Sequence, residues 1–236
     1  MESHPEELKK SIIEMASVVE QALAVVSSKD LTNQEIDEFE NKINQFHTEI
    51  DDQCFKYLAL IRPVASDLRT TIAIMKMNNE LERIGDEVVN IKRYINYTQT
   101  KDVPQLRHMI NEVNKMVKNA MDSFVTKNIK LALNVIQNDQ VVNDLNRSII
   151  QTFFEGVKDQ KFSATDGLHF VLVAKGLERI GDHATNISED VVFLVSGNDI
   201  RHSTPNQVIE GSNTPKSKII VDFLKRATNK NNNDES

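Results

Sequence analysis

The sequence predicts an all-α protein of two tandem, pseudo-symmetric three-helix bundles, six long helices in all, with a flexible C-terminal tail. Three observations predict it. First, Leu81-Glu82-Arg83-Ile84-Gly85-Asp86 recurs letter for letter as Leu177-Glu178-Arg179-Ile180-Gly181-Asp182, and each copy runs on in step to Asn90-Ile91 and Asn186-Ile187. Repetition at a fixed spacing marks a chain assembled from two copies of one unit. Second, apolar residues return every three to four positions through six long stretches, which is the helical period. Third, only 7 glycines and 5 prolines occur in 236 residues, and none of the prolines lies between Pro5 and Pro63 or between Pro104 and Pro205. Such spacing suits long uninterrupted helices.

The first bundle is assigned to residues 5–101. Pro5 suits a first helical turn, and Leu8, Ile12, Met15, Val19, Ala22 and Val26 give the first helix its stripe. Ser27-Ser28-Lys29-Asp30 reads as a turn. The second helix, from about 32 to 60, carries Ile36, Phe39, Ile43, Phe46, Ile50 and Cys54. It ends at Arg62-Pro63, since a residue before proline is pushed out of the helical region. The third helix holds Leu68, Ile72, Met75 and the first hexapeptide, and reaches about Tyr97.

Asp102-Val103-Pro104 reads as a linker with a cap and a proline start. It opens the second bundle, residues 102–198. Leu106, Ile110, Val113, Val117, Ala120 and Phe124 mark the fourth helix; Val135, Val142, Leu145, Ile149 and Phe153 mark the fifth, from about 129 to 157. The sixth runs from about 163 to 195 with the second hexapeptide, and Gly197 is its stop. Residues 199–236 are rich in Asn, Ser, Thr and Lys with two prolines, a composition that reads as disordered. Within them, Lys218 to Lys225 reads as a loosely packed terminal turn, with a short helix on a partner as the alternative.

The charge balance excludes some functions. A net charge of −7 without a basic block argues against direct nucleic-acid binding, which needs a cationic footprint, and supplies no polybasic membrane anchor. The single cysteine, Cys54, cannot form an internal disulfide and fits a reducing cytoplasm. Its helical neighbours Ile50, Tyr57, Leu58 and Ile61 make it a core residue. The start lacks the apolar segment of a signal peptide and no 18-residue apolar run occurs, so a soluble, cytoplasmic protein is expected.

The repeat also carries chemistry. Residues at i, i+4 and i+8 share a helix face, so Glu82, Asp86 and Asn90 form one column of oxygens, and Glu178, Asp182 and Asn186 another. Stacked carboxylates repel by a few tenths of a kcal/mol, and Gly85 and Gly181 each cost about 1 kcal/mol against alanine. Local stability therefore does not explain the motif, and a cation or a closely packed helix would. Glu40-x-x-x-Asn44 and Asp139-x-x-x-Asn143 repeat an acid and an amide on the middle helices, so each bundle can set two such columns face to face. Oxygen ligands without thiolates favour Mg, Mn, Ca or iron. The bland alternative is an ion-pair lattice on solvated faces, with Arg83 reaching Glu80 and Glu87 along its own helix.

Catalytic signals are weaker. A di-iron carboxylate site in a bundle needs Glu-x-x-His motifs, and neither copy has one. His183 follows Asp182 and points about 100° away round the helix. His47 and His169 have no duplicate and read as packing or surface residues. No glycine-rich phosphate loop is present. Three classes remain: a non-enzymatic binding protein, a carboxylate-rich helical-bundle metalloenzyme, and a purely structural helical scaffold.

The doubled hexapeptide with its trailing Asn-Ile, the His183-Ala184-Thr185-Asn186-Ile187 continuation, and Pro63-Val64-Ala65-Ser66-Asp67-Leu68-Arg69 resemble the PhoU family, the phosphate-specific transport system accessory proteins. The likeness covers about residues 6–202. It implies a cytoplasmic, commonly homodimeric, non-enzymatic negative regulator of phosphate uptake and of the phosphate-starvation response. Such proteins link the phosphate transporter ATPase to a sensor histidine kinase and meet the membrane only peripherally, through those partners. The resemblance also implies metal ligands at Glu82, Asp86, Glu178 and Asp182, and more loosely at Glu40 and Asp139, for ions such as Mg, Mn, Zn or Fe. Where many relatives carry an acid, this chain has Asn44 and Asn143.

Overall fold

A computed structural model describes residues 4–26, 32–98, 103–197, 200, 219–223 and 225. Six long helices form in the expected order: α1 (His4–Val25), α2 (Asn33–Ile61), α3 (Ala65–Tyr97), α4 (Pro104–Thr126), α5 (Ile129–Lys158) and α6 (Ala164–Ser196). Helices α1 to α3 pack on one another, as do α4 to α6; α3 and α6 lie against each other along the join, and α1 touches α4 at its edge.

Local signals set the ends. Thr32 and Glu35 form a capping box: the Glu35 N–H donates to Thr32 Oγ1 (3.2 Å) and the Thr32 N–H donates to Glu35 Oε2 (2.8 Å), satisfying two orphan donors. Arg62 ends α2 in the left-handed region at φ 50, immediately before Pro63. Asn128 caps α5 by accepting from the Leu131 N–H (3.2 Å) and Ser163 caps α6 by accepting from the Asp166 N–H (3.0 Å). Gly197, at φ 79, stops α6 and donates its N–H to the Phe193 carbonyl (2.8 Å). At the midpoint Val103 is the N-cap, without a side-chain bond, and Pro104 opens α4. The cap expected of Asp102 and the turn at Ser27 to Asp30 lie outside the described residues.

One core runs through both halves, from Leu8, Ile12 and Met15 on α1 to Ile187 and Val191 on α6. Cys54 is fully buried in it, and burial, with a smaller push from the Asp51 charge, raises its thiol pKa to about 12. Such a thiol is inert. The tail departs from expectation where it is described. Residues 219–223 are helical, Ile220 and Val221 are buried, and a cavity beside them is lined jointly by Ile219, Phe223 and the α5 residues Lys130 and Leu133. A run of branched apolar side chains gains too much by burial to remain a loose turn. The rest of 199–236, Ile200 aside, lies outside the described residues.

The first of the repeated glycines has a packing cause. A Cβ on Gly85 would stand 2.8 Å from Ile43 Cδ1 and 3.2 Å from Ile43 Cγ2, so α2 and α3 approach too closely for a methyl group. At Gly181 the nearest atom is Val142 Cγ1 at 3.4 Å, an ordinary contact. Gly181→Ala is therefore expected to stabilise by about 0.5–1 kcal/mol through helix propensity. Gly85→Ala should destabilise by about 1 kcal/mol, because buried Ile43 must give way. Urea unfolding of the two variants checks the opposite signs.

Candidate metal centre and the bundle interface

In the second bundle the acidic columns do face each other. Asp139 projects from α5 toward α6, where Glu178 and Asp182 stand one turn apart. One Asp139 oxygen, Oδ2, accepts from Asn143 Nδ2 at 2.8 Å; the other, Oδ1, is buried without a hydrogen-bond partner. Burial pushes the Asp139 carboxyl above its ordinary value, the charges of Asp182 and Glu178 push the same way, and the Asn143 bond opposes them. Asp182 is likewise raised, by burial and then by Glu178, against His183, Lys175 and Arg179. Lys175 Nζ reaches Glu178 Oε2 at 2.6 Å. A partly buried group of carboxylates with one unsatisfied oxygen is short of positive charge.

The first bundle differs. Glu40 and its neighbour Asp37 on α2 are both held by Arg93 of α3, with Nη2 3.7 Å from Glu40 Oε2 and 3.3 Å from Asp37 Oδ1. Glu82 and Asn90 are half-buried on α3, while Asp86 and the α2 residue Asn44 are exposed. Among the described residues, no group of three or more His, Cys, Asp or Glu side chains is drawn together tightly enough to hold an ion as it stands. Further along the same pair of helices is a polar cluster that the sequence did not signal. Fully buried Asn78 donates to the His47 carbonyl (2.9 Å) and to Asp51 Oδ1 (3.0 Å), and His47 Nε2 lies 3.3 Å from Asn79 Oδ1.

Several motif residues serve the join between bundles instead. Glu80 Oε2 meets His183 Nδ1 at 2.7 Å and accepts from Asn186 Nδ2 at 3.0 Å. Burial raises the Glu80 carboxyl, but those two hydrogen bonds, with the His183 and Arg83 charges, outweigh it and hold the group below its usual range. Arg179 Nη1 pairs with Glu87 Oε1 at 3.0 Å, and Lys76 Nζ with buried Asp190 Oδ1 at 3.2 Å. Of the lattice expected along one helix, the Arg83 charge still acts on Glu80, but the close pairs of Glu80 and Glu87 run across to α6. Asn186, expected in the α6 column, is spent on Glu80. Each i+4 step advances 40° beyond a full turn, so Asn186 lies about 80° round from Glu178. A polar groove of about 460 Å³ opens over the join, lined by Arg83, Asp86, Glu87, Arg179, Asp182 and His183. Both copies of the hexapeptide contribute to it. His169 packs between Tyr94 and Tyr97, with ring centroids 6.2 and 5.9 Å away.

Fold and site together define an all-α tandem-repeat protein with an acidic, glycine-thinned helix pair in each half. The PhoU domain profile matches it twice, over residues 10–95 and 106–191. The chain belongs to the PhoU family. It is 34% identical over 207 residues to a phosphate-specific transport system accessory protein PhoU homolog of Pseudomonas putida, covering 84% of this chain and 81% of the relative. The Pseudomonas aeruginosa homolog is 33% identical, with 84% and 86% covered. Among solved structures, PhoU from Pseudomonas aeruginosa superposes with a TM-score of 0.77 at 32% identity, over 83% of this chain and 98% of that one. The phosphate transport system regulatory protein PhoU from Streptococcus pneumoniae gives 0.75 at 25% identity, over 83% and 97%.

The raised carboxyls fix a direction for pH dependence. A folded-state pKa above the unfolded value means the folded protein holds its protons more tightly, so the repulsion is absent at low pH and full once the pH exceeds the folded values. Asp139→Asn is therefore expected to raise the thermal midpoint at pH 7 by about 1–3 °C. That advantage should vanish as the pH falls toward the ordinary aspartate value of 3.8. Scanning calorimetry in the presence of a chelator checks both halves of the statement.

Proposed function

We propose that this chain is a cytoplasmic, non-enzymatic negative regulator of phosphate uptake and of the phosphate-starvation response. It acts as a homodimeric adaptor between the phosphate transporter ATPase and a sensor histidine kinase, reaching the membrane only through those partners. Support for phosphate transport comes from the double PhoU domain match and the relatives' names. No helix among the described residues is long and apolar enough to cross a membrane, so docking to membrane-bound partners is the route this reading requires.

One observation carries the metal part of the reading: Asp139 keeps a buried, unpartnered oxygen while the charges of Asp182 and Glu178 act on its carboxyl. An oxygen-only donor set with excess negative charge fits a hard divalent cation. Asp139, Glu178 and Asp182 would hold it, and the ion would supply the positive charge that lets α5 and α6 share this face without repulsion. Asn143 holds Oδ2 and fixes the Asp139 rotamer. Arg179 and His183 extend from the same turns of α6 to Glu87 and Glu80, so order at the acidic face passes to the join between bundles. An ion at about 100 times its Kd stabilises the fold by about 2.7 kcal/mol, which is about 5–10 °C for a chain of this size.

Capture from phosphate-replete cells tests the adaptor. The wild type is expected to retain both the transporter ATPase and the sensor kinase. The variant with alanine at Glu82, Asp86, Glu178 and Asp182 should lose both partners and derepress the phosphate-starvation genes, while its helical circular dichroism is kept. A wild type that retains neither partner sinks the adaptor reading. A variant that retains both removes the acidic columns from the mechanism and leaves them as solvated faces.

A further inference from the structure

The tail breaks with its own composition once. Among the Asn, Ser, Thr and Lys of residues 199–236, the apolar Ile219, Ile220, Val221 and Phe223 crowd together. They are helical; Ile220 is fully buried, Val221 nearly so, and Ile219 and Phe223 pack against the same core. Of the described positions there, only Asp222 and Lys225 are exposed. The neighbour is α5: Ile219 and Phe223 wall a cavity of about 460 Å³ together with Lys130, Leu133, Asn134 and Gln137. That face of α5 is apolar where its counterpart is polar. Ile43 and Val142 each stand nearest to a repeated glycine, Gly85 and Gly181, which aligns the two middle helices residue by residue. In that register Leu133 and Ile136 occupy the places of Gln34 and Asp37. Gln34 is exposed and Asp37 pairs with Arg93, whereas Leu133 is buried and Ile136 packs against the core. The second PhoU match ends at residue 191, so the segment beside this face lies outside the repeated domains.

We propose that the face of α5 around Leu133 is a helix-binding groove, and that residues 219–223 are its resident, displaceable occupant. The recognition mode is an amphipathic helix laid against an apolar groove, here with apolar side chains at i, i+1 and i+4. The segment is short and a cavity stays open beside it, so it belongs to the parts of the chain that open at low cost. Its place on the same chain offsets that weakness, because a tethered segment acts at an effective concentration that an external helix must exceed. A partner that docks here presents a short helix of the same chemistry, with branched aliphatic and aromatic side chains on one face, and takes the segment's place. The first bundle, with Gln34 and Asp37 at the matching positions, offers no such groove.

Hydrogen exchange and peptide binding on the full chain test this. In the wild type the peptic fragment holding residues 219–223 should exchange about 10-fold more slowly than in Ile220→Asp, where a charge would have to be buried for the segment to dock. Phe223→Ser, at a partly exposed position, should act the same way, and circular dichroism checks that both variants keep the six helices. A synthetic peptide of residues 216–227 is then titrated into each protein and followed by NMR. It should bind Ile220→Asp with shifts gathered on residues 130–137, and bind the wild type about 10-fold more weakly, because only the open fraction accepts it. Equal exchange in the wild type and both variants overturns the proposal. So does equal peptide affinity for wild type and Ile220→Asp, binding to neither, or shifts that fall away from α5.

Discussion

The duplicated hexapeptide lies on helices that touch a neighbour on almost every side, and that crowding governs the rest of the molecule. Successive residues step about 100° round a helix, so six residues must serve several interfaces. Leu81, Ile84, Leu177 and Ile180 are fully buried in the core. Gly85 lets α2 approach to the point where a methyl group would strike Ile43, whereas at Gly181 a methyl group would meet only ordinary contacts from α5. Arg83 and Arg179 turn toward the groove over the join together with Asp86 and Asp182, and in the second bundle Glu178 and Asp182 also act on Asp139 of α5.

Two carboxylates show what that crowding does to charge. Glu80 and Asp139 are both partly removed from water, and burial pushes both carboxyls upward. Glu80 nevertheless ends below its usual range because His183 and Asn186 aim donors at one of its oxygens. Asp139 ends above, because its neighbours are Asp182 and Glu178 and its only bond is from a neutral amide. Burial alone therefore does not decide the protonation state; the donors at hand do. A seam that has recruited its donors is a structural joint. One that has not is open to an external cation.

Most of the fold was legible because it rests on local periodicity. Six apolar stripes at helical spacing placed six helices, the ends given for the second, fifth and sixth falling within one residue of those formed, and the exact repeat divided them into two bundles. The acids of the columns were legible for the same reason, being fixed by spacing along one helix. Pairing across helices was not. Nothing in the spacing of Arg179 or His183 says that their partners are Glu87 and Glu80, more than 90 residues away in sequence. The i,i+8 rule placed Asn186 with Glu178 and ignored the 80° of drift that carries it to the other interface. Arg93 and Asn78 were overlooked because each looks like an ordinary polar residue until the opposite helix is in place. Composition assigned the tail to disorder, yet residues 219–223 are helical, with Ile220 and Val221 buried against the core.

The same comparison explains why the pseudo-symmetry is exact in some places and broken in others. Core positions are identical in the two copies, since a buried leucine or isoleucine has one geometric task wherever the unit is used. Charged positions need only be satisfied, and either half can do that differently. Glu80 meets His183 on one side of the join, while at the corresponding place Gly176 leaves room for Glu87, which turns to Arg179 instead. Lys76 pairs with Asp190 where the other half sets Leu172 and Tyr94. A join between identical bundles would be two-fold and indifferent to direction; unequal charges make it lopsided. Charge pattern rather than area sets the register of such a surface. The result is a repeat whose cores are interchangeable and whose acidic faces are not.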